Sequence, residues 1–191
     1  SYHVDELQAS ILEAFKDLSI AFVSFFVGSF LPRLGYKKGM LAALALVFAG
    51  CLTMYFGNSF ATVKLMFACV GVSFAVIKVS VYALIGVVTN DEKEHKSLLS
   101  SVESCFMIGI AAGFIAFPFF YSDTNPNAWL RIYLLLAGLI AVSFLVLLLS
   151  DFKADYEIPG TSVIDDFVEM VKLIKRPLVL VFSFVSFMYV M

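Results

Sequence analysis

Gly28–Gly39 reads GSFLPRLGYKKG, and the reading of these twelve residues decides the fold. They form a short, basic break, punctuated by glycine and proline, between two long apolar runs. Pro32 and Gly35 are both helix terminators, and the pair is expected to end the run before it. Arg33, Lys37 and Lys38 place three cations within six residues. A basic hairpin between two membrane-length apolar runs marks the side of a bilayer on which it stays.

Working outward, apolar runs recur along the whole chain. It has 191 residues, 61% of them hydrophobic, including 21 Phe. Its mean hydropathy is +0.96. Soluble domains are nearer half apolar, and a globule of this size has too little interior to hide the excess. The expected fold is all-α, a polytopic transmembrane helical bundle with five full spans and a truncated sixth. The spans are drawn at 11–31, 39–56, 62–88, 98–121 and 129–149, and the short run at 177–191. At about 1.5 Å rise per residue, some 20 residues cross a ~30 Å hydrocarbon core. Three connections are expected to be loops or turns: Gly57–Ser59, the charged run TNDEKEHK at Thr89–Lys96, and SDTNPNA at Ser122–Ala128. Residues 151–176 read as a polar linker. Within it Val163, Phe167, Met170, Val171 and Ile174 recur at helical spacing.

The cations set the orientation. Arg33, Lys37, Lys38, Lys93, Lys96, Lys153, Lys172, Lys175 and Arg176 fall on one side, and Lys16, Lys64 and Arg131 on the other. Nine against three places loop 32–38 and linker 151–176 in the cytoplasm by the positive-inside rule. The expected partners are the lipid bilayer and a small-molecule solute. No basic, aromatic-interleaved surface suggests nucleic acid. Cys51, Cys69 and Cys105 lie inside apolar runs without ligand spacing, so they read as packing residues, and no metal or cofactor is expected. No nucleophile elbow, zinc-protease or phosphate-loop pattern is present, so an enzyme is not expected.

Small residues mark two faces for close helix packing. One carries Ser10, Ala14, Asp17, Ala21, Ser24 and Gly28. The other carries Cys105, Gly109, Ala112, Gly113 and Ala116. Asp17 on the first is a candidate for an outer vestibule or for a helix end at the headgroups.

Lys78 is the sharpest candidate for chemistry. It is the fourteenth residue of the run Leu65–Val88, and a charge at membrane depth is costly enough to need a reason. It shares a helical face with Gly71, Ala75, Tyr82 and Gly86. Such a face suits a water-filled cavity in which Lys78 and Tyr82 meet an anionic or hydroxyl-rich solute, or else an ion pair with a neighbouring helix. Glu103 lies six residues into its expected span, about 7–8 Å deep at the helical rise. It reads as a snorkelling acid, a partner for Lys78, or a protonatable coupling group.

Gly28, Arg33, Gly35 and Lys37 resemble the Gly-x-x-x-Asp-Arg-x-Gly-Arg-Lys hairpin between helices 2 and 3 of the major facilitator superfamily. Pro32 stands where that motif has Asp, and Tyr36 where it has Arg. The helix 4 Arg is replaced by Phe67 ahead of Gly71. The helix 5 signature keeps Gly109 and Gly113 but has Phe114 in place of Pro. The resemblance covers nearly the whole chain, as helices 2 to 6, the central linker and the start of helix 7. It implies that residues 1–150 form the N-terminal transmembrane half without its first helix, 151–176 the cytoplasmic linker, and 177–191 the start of the second half. The rest of the same protein is then a partner. The activity implied is a secondary transporter in a bacterial cytoplasmic membrane, moving a small polar or anionic solute by alternating access as a symporter, with proton or sodium as coupling ion. A non-transporting membrane sensor or assembly subunit of similar topology is the alternative.

Overall fold

The computed structural model describes residues 6–57, 59–120, 130–150 and 163–190. Among them there is no strand. The order is α1 (Glu6–Leu34), α2 (Tyr36–Phe56), α3 (Phe60–Val88), α4 (Glu92–Ala116) running into a 3-10 turn (Phe117–Phe120), α5 (Arg131–Leu149), α6 (Val163–Ile174) and α7 (Pro177–Val190). Four segments are long and apolar enough to cross a membrane: Tyr36–Phe56, Phe60–Val88, Glu92–Phe120 and Arg131–Leu149. α1 makes a fifth when its two limbs, Ile11–Ser24 and Phe26–Leu34, bent by 57°, count as one span. The protein is an all-α polytopic helical bundle and an integral membrane protein. The turn expected at Ser122–Ala128, Trp129, Ser162 and most of the linker lie outside the described residues.

α3 is central. It packs along both α1 and α2, and α2 packs in turn on α5. Two apolar clusters mark opposite ends of the bundle. At one end Leu31, Tyr36, Met40 and Leu84 are buried together with Val76 and Leu147 against them. At the other, Met54, Met66 and Leu130 are buried against Phe67 and Tyr133. The first cluster draws on the end of α1, the start of α2 and the ends of α3 and α5. α1 to α4 therefore run alternately up and down, with short hairpins between them.

Glycine sets the closest approaches. A Cβ on Gly71 would stand 2.7 Å from the Lys16 carbonyl oxygen and 3.1 Å from Ser19 Cβ. One on Gly50 would stand 3.1 Å from Cys69 Cβ. These positions let α1 and α2 lie on α3 backbone to backbone, the packing that small residues allow in membranes.

Three expectations change. Pro32 does not end the first helix, which runs on to Leu34. Gly35 alone breaks the chain, at φ 90° and ψ 127°. A proline in the last turn removes one hydrogen bond and restricts the residue before it, and that is tolerable so near a terminus. Thr89–Lys96 is not a loop, because α4 starts at Glu92. Glu92 and Glu94 suit the positive end of the helix dipole, and Lys96 binds Glu92 at 2.6 Å across one turn. The fourth span is α-helical only to Ala116. Pro118 has no N–H to give the Phe114 carbonyl, and the chain tightens there into a 3-10 turn.

The small-residue faces also differ from expectation. Ala14, Asp17, Ala21 and Gly28 are exposed, and α1 meets α3 through Lys16 and Ser19 at Gly71 and through Leu31 beside Leu84 instead. Gly109 and Gly113 have open space where a Cβ would stand. Small residues permit close packing but do not select the helix that approaches.

Candidate functional site

Lys78 lies ten residues before the end of α3, and Glu103 eleven residues after the start of α4. At the helical rise these are about 15 Å and 16–17 Å from the same end of the bundle. Glu103 is thus roughly twice as deep as a span starting at Leu98 would place it. A hairpin of only three residues, Thr89–Asp91, holds the two helices in this register. Thr89 Oγ1 donates to the Ile85 carbonyl at 2.6 Å and lies 3.0 Å from His95 Nδ1, so the hairpin is tied to both helices.

At that matched depth Lys78 Nζ stands 3.4 Å from Glu103 Oε1. The ammonium also lies over three aromatic rings. It is 5.3 Å from the Tyr82 centroid, 5.6 Å from Phe74 and 5.8 Å from Phe106. Phe74 precedes Lys78 by one turn, Tyr82 follows it by one turn, and Phe106 follows Glu103 by three residues. The (i, i+3) and (i, i+4) spacings stack these side chains on the facing surfaces of the two helices. Phe74 and Phe106 touch across the interface with centroids 5.5 Å apart.

These groups border a pocket of about 170 Å³, completed by Ile77, Val81 and Val102. Its walls are almost wholly apolar, although Lys78, Glu103 and Tyr82 are among the residues that line it. Lys78 and Glu103 are each only partly covered, with side chains 40% and 38% accessible. Both side chains line the pocket mainly through their apolar stems. The pair is also longer than the roughly 2.7–2.9 Å of a tight charge-assisted hydrogen bond.

The other candidates lie elsewhere. Asp17 is on the exposed face of α1, 3.6 Å from Lys16 Nζ, and does not border the Lys78 pocket. Gly28 is exposed and Arg33 is half-buried in the last turn of α1. Gly35 is the break itself. Lys37 reaches across the bundle and donates to the Leu148 carbonyl at 3.0 Å and the Ser150 carbonyl at 2.7 Å. These are among the unpaired carbonyls at the end of α5, where the dipole favours a cation. The hairpin lysine therefore fastens the α1–α2 connection to α5. Sequence reasoning missed this contact, because Lys37 and its acceptors are 111 and 113 residues apart. Phe74 and Phe106 were missed too, although their spacing from Lys78 and Glu103 was a signal.

The sequence model of the Major Facilitator Superfamily matches residues 1–191. The chain belongs to the major facilitator superfamily. This membership makes it a membrane secondary transporter by family. No curated protein and no solved structure matches the chain.

Proposed function

We propose that the chain serves a secondary transporter that moves a small polar or anionic solute by alternating access, with Lys78 and Tyr82 meeting the solute. Glu103 is the coupling group and proton or sodium the coupling ion, so that solute and ion travel together. Residues 1–150 are the N-terminal transmembrane half, 151–176 a cytoplasmic linker and 177–191 the start of the second half. Loop 32–38 faces the cytoplasm of a bacterial cell, with Arg33, Lys37 and Lys38 as its anchors. Asp17, near the opposite end, borders an outer vestibule.

The observation that carries this reading is the loose Lys78–Glu103 pair at matched depth, beside a pocket between two apolar helices. Charges at membrane depth are retained for function or for tight pairing. A pair whose task was only to hold α3 to α4 would be expected to close to hydrogen-bond length and to leave no pocket beside it. That difference weighs against the sensor or assembly-subunit reading. Midplane sites between helices are where alternating-access carriers hold their solutes.

The test is accumulation by the full-length protein in proteoliposomes, against a labelled panel of sugars, amino acids and organic anions. Lys78→Ala is expected to abolish accumulation of the transported member while leaving the amount of protein in the membrane unchanged. Undiminished accumulation by that variant overturns the site assignment.

A further inference from the structure

We propose that the pocket between α3 and α4 takes a small monoanion with an apolar body about one ring in size, together with one proton held on Glu103. The inference rests on the reading that Lys78 meets the solute, and it narrows the solute class that reading leaves broad.

Size is the first constraint. The pocket is open on one side and holds about 170 Å³, close to the ~150 Å³ apolar cavity that accommodates benzene and below the 300–1,000 Å³ of drug-sized sites. Wall chemistry is the second. Phe74, Ile77, Val81, Val102 and Phe106 offer no side-chain hydrogen-bonding group. A sugar or other hydroxyl-rich solute would lose its water and find too few partners, at a cost for each unmatched hydroxyl. An apolar body loses nothing there.

Charge is the third constraint, and it decides the stoichiometry. With Lys78 protonated and Glu103 ionised, the empty site is neutral. When a solute carboxylate takes the Lys78 ammonium, Glu103 is left without its partner beside apolar walls and only partly open to water, which is unfavourable. One proton from water, forming the Oε–H bond of Glu103, restores neutrality. The site then holds an ammonium–carboxylate pair and a neutral acid, so solute anion and proton enter as one electroneutral unit. A dianion would leave the site negative even after this proton, and a cation would face Lys78. The titratable groups facing Glu103 from α3, the long helix packed on α4, are Lys78 and Tyr82. The three rings at 5.3–5.8 Å keep the ammonium in place when Glu103 releases it.

The test uses benzoate as probe, titrated calorimetrically into the purified full-length protein in two buffers of different ionisation enthalpy. The expected result is uptake of about one proton per benzoate, with Kd rising about tenfold per pH unit in the range where that uptake is complete. Benzyl alcohol, phthalate and gluconate should each bind at least about tenfold more weakly, as neutral, doubly charged and hydroxyl-rich probes. Glu103→Gln should bind benzoate with no proton uptake and a flat pH profile, and its binding also shows that the variant is folded. Lys78→Met should lose benzoate binding. Benzoate binding without proton uptake by the unaltered protein overturns the coupling. Phthalate or gluconate binding as tightly as benzoate overturns the solute class, and no benzoate binding overturns the proposal as a whole. Failure of the transporter reading has a different signature: proton-linked benzoate binding with no accumulation in proteoliposomes.

Discussion

Replacing Gly71 by Ala should destabilise the bundle, whereas replacing Gly86 by Ala on the same helix should not. A methyl group on Gly71 would lie 2.7 Å from the Lys16 carbonyl oxygen and 3.1 Å from Ser19 Cβ. The first of these is backbone and cannot swing aside as a side-chain end could. To restore ordinary contact, α1 must retreat by roughly 0.3–0.7 Å. A gap of that order forfeits about a quarter of the dispersion attraction of each atom pair that opens. Overpacking of this kind costs about 1–3 kcal/mol. Gly86 has nothing within 4 Å of its would-be methyl, so only helix propensity acts there, in favour of Ala by about 1 kcal/mol. That propensity gain is common to both variants and cancels in their difference. Gly71→Ala should therefore be less stable than Gly86→Ala by about 1–3 kcal/mol. For a chain of this length that corresponds to roughly 2–4 °C of melting temperature per kcal/mol. Thermal loss of the monodisperse peak in size-exclusion chromatography of the detergent-solubilised protein measures it. A Gly71→Ala protein that melts at or above Gly86→Ala would refute the claim that α1 and α3 are in backbone contact at Gly71.

Two further expectations concern the α1–α2 hairpin. Lys37→Met removes the donor to the Leu148 and Ser150 carbonyls and should cost about 1–3 kcal/mol, as hydrogen bonds from a charged group do; the exposed neighbour Lys38→Met should cost little, and equal melting temperatures for the two variants would count against the α5 contact. Gly35→Ala forces a Cβ onto φ 90° and should cost about 1–3 kcal/mol, read in the same melting assay, where an unchanged transition would show that the turn is not held in that conformation.

Much of the fold was legible because apolar runs of membrane length admit few structures besides helices. The runs containing Met40, Ala75 and Leu139 each became a span. Lys78 was legible for the same reason, since a charge in the middle of such a run has nowhere else to go. Its pairing with Glu103 was only one of three open readings, and the cause is specific. The run DEKEHK looks like a solvated loop by charge, but acids followed by cations also make a good first helical turn. The Asp91-x-x-Glu94 spacing, typical of a helix start, was the signal that separated the two. Reading it would have moved the helix start from Leu98 to Glu92 and brought Glu103 level with Lys78. The Lys37 contact had no such signal. Where a cation finds a helix C-terminus depends on which helices are neighbours, and the sequence does not carry that adjacency locally. The same holds for the small faces of α1 and α4, whose residues permit close approach but do not select the helix that approaches.

The position of the candidate site in the bundle gives it leverage. α1, α2, α3 and α5 interlock through buried apolar clusters, whereas α4 has no buried residue among those described. Met107, Ile108, Phe114 and Ile115 of α4 are 59–78% exposed. Its packing on a long helix is with α3, where Val102, Glu103 and Phe106 border the pocket. The ion pair and the Phe74–Phe106 contact are therefore a large part of what holds α4 to its neighbours. A solute that takes Lys78 from Glu103 removes one of these two attachments, and a body lodged between the rings alters the other. On the proposed reading, occupancy acts directly on helix packing, because the groups that would recognise the solute are the groups that join the helices. Alternating access needs such a link, since a solute can shift a conformational equilibrium only by binding its two states unequally.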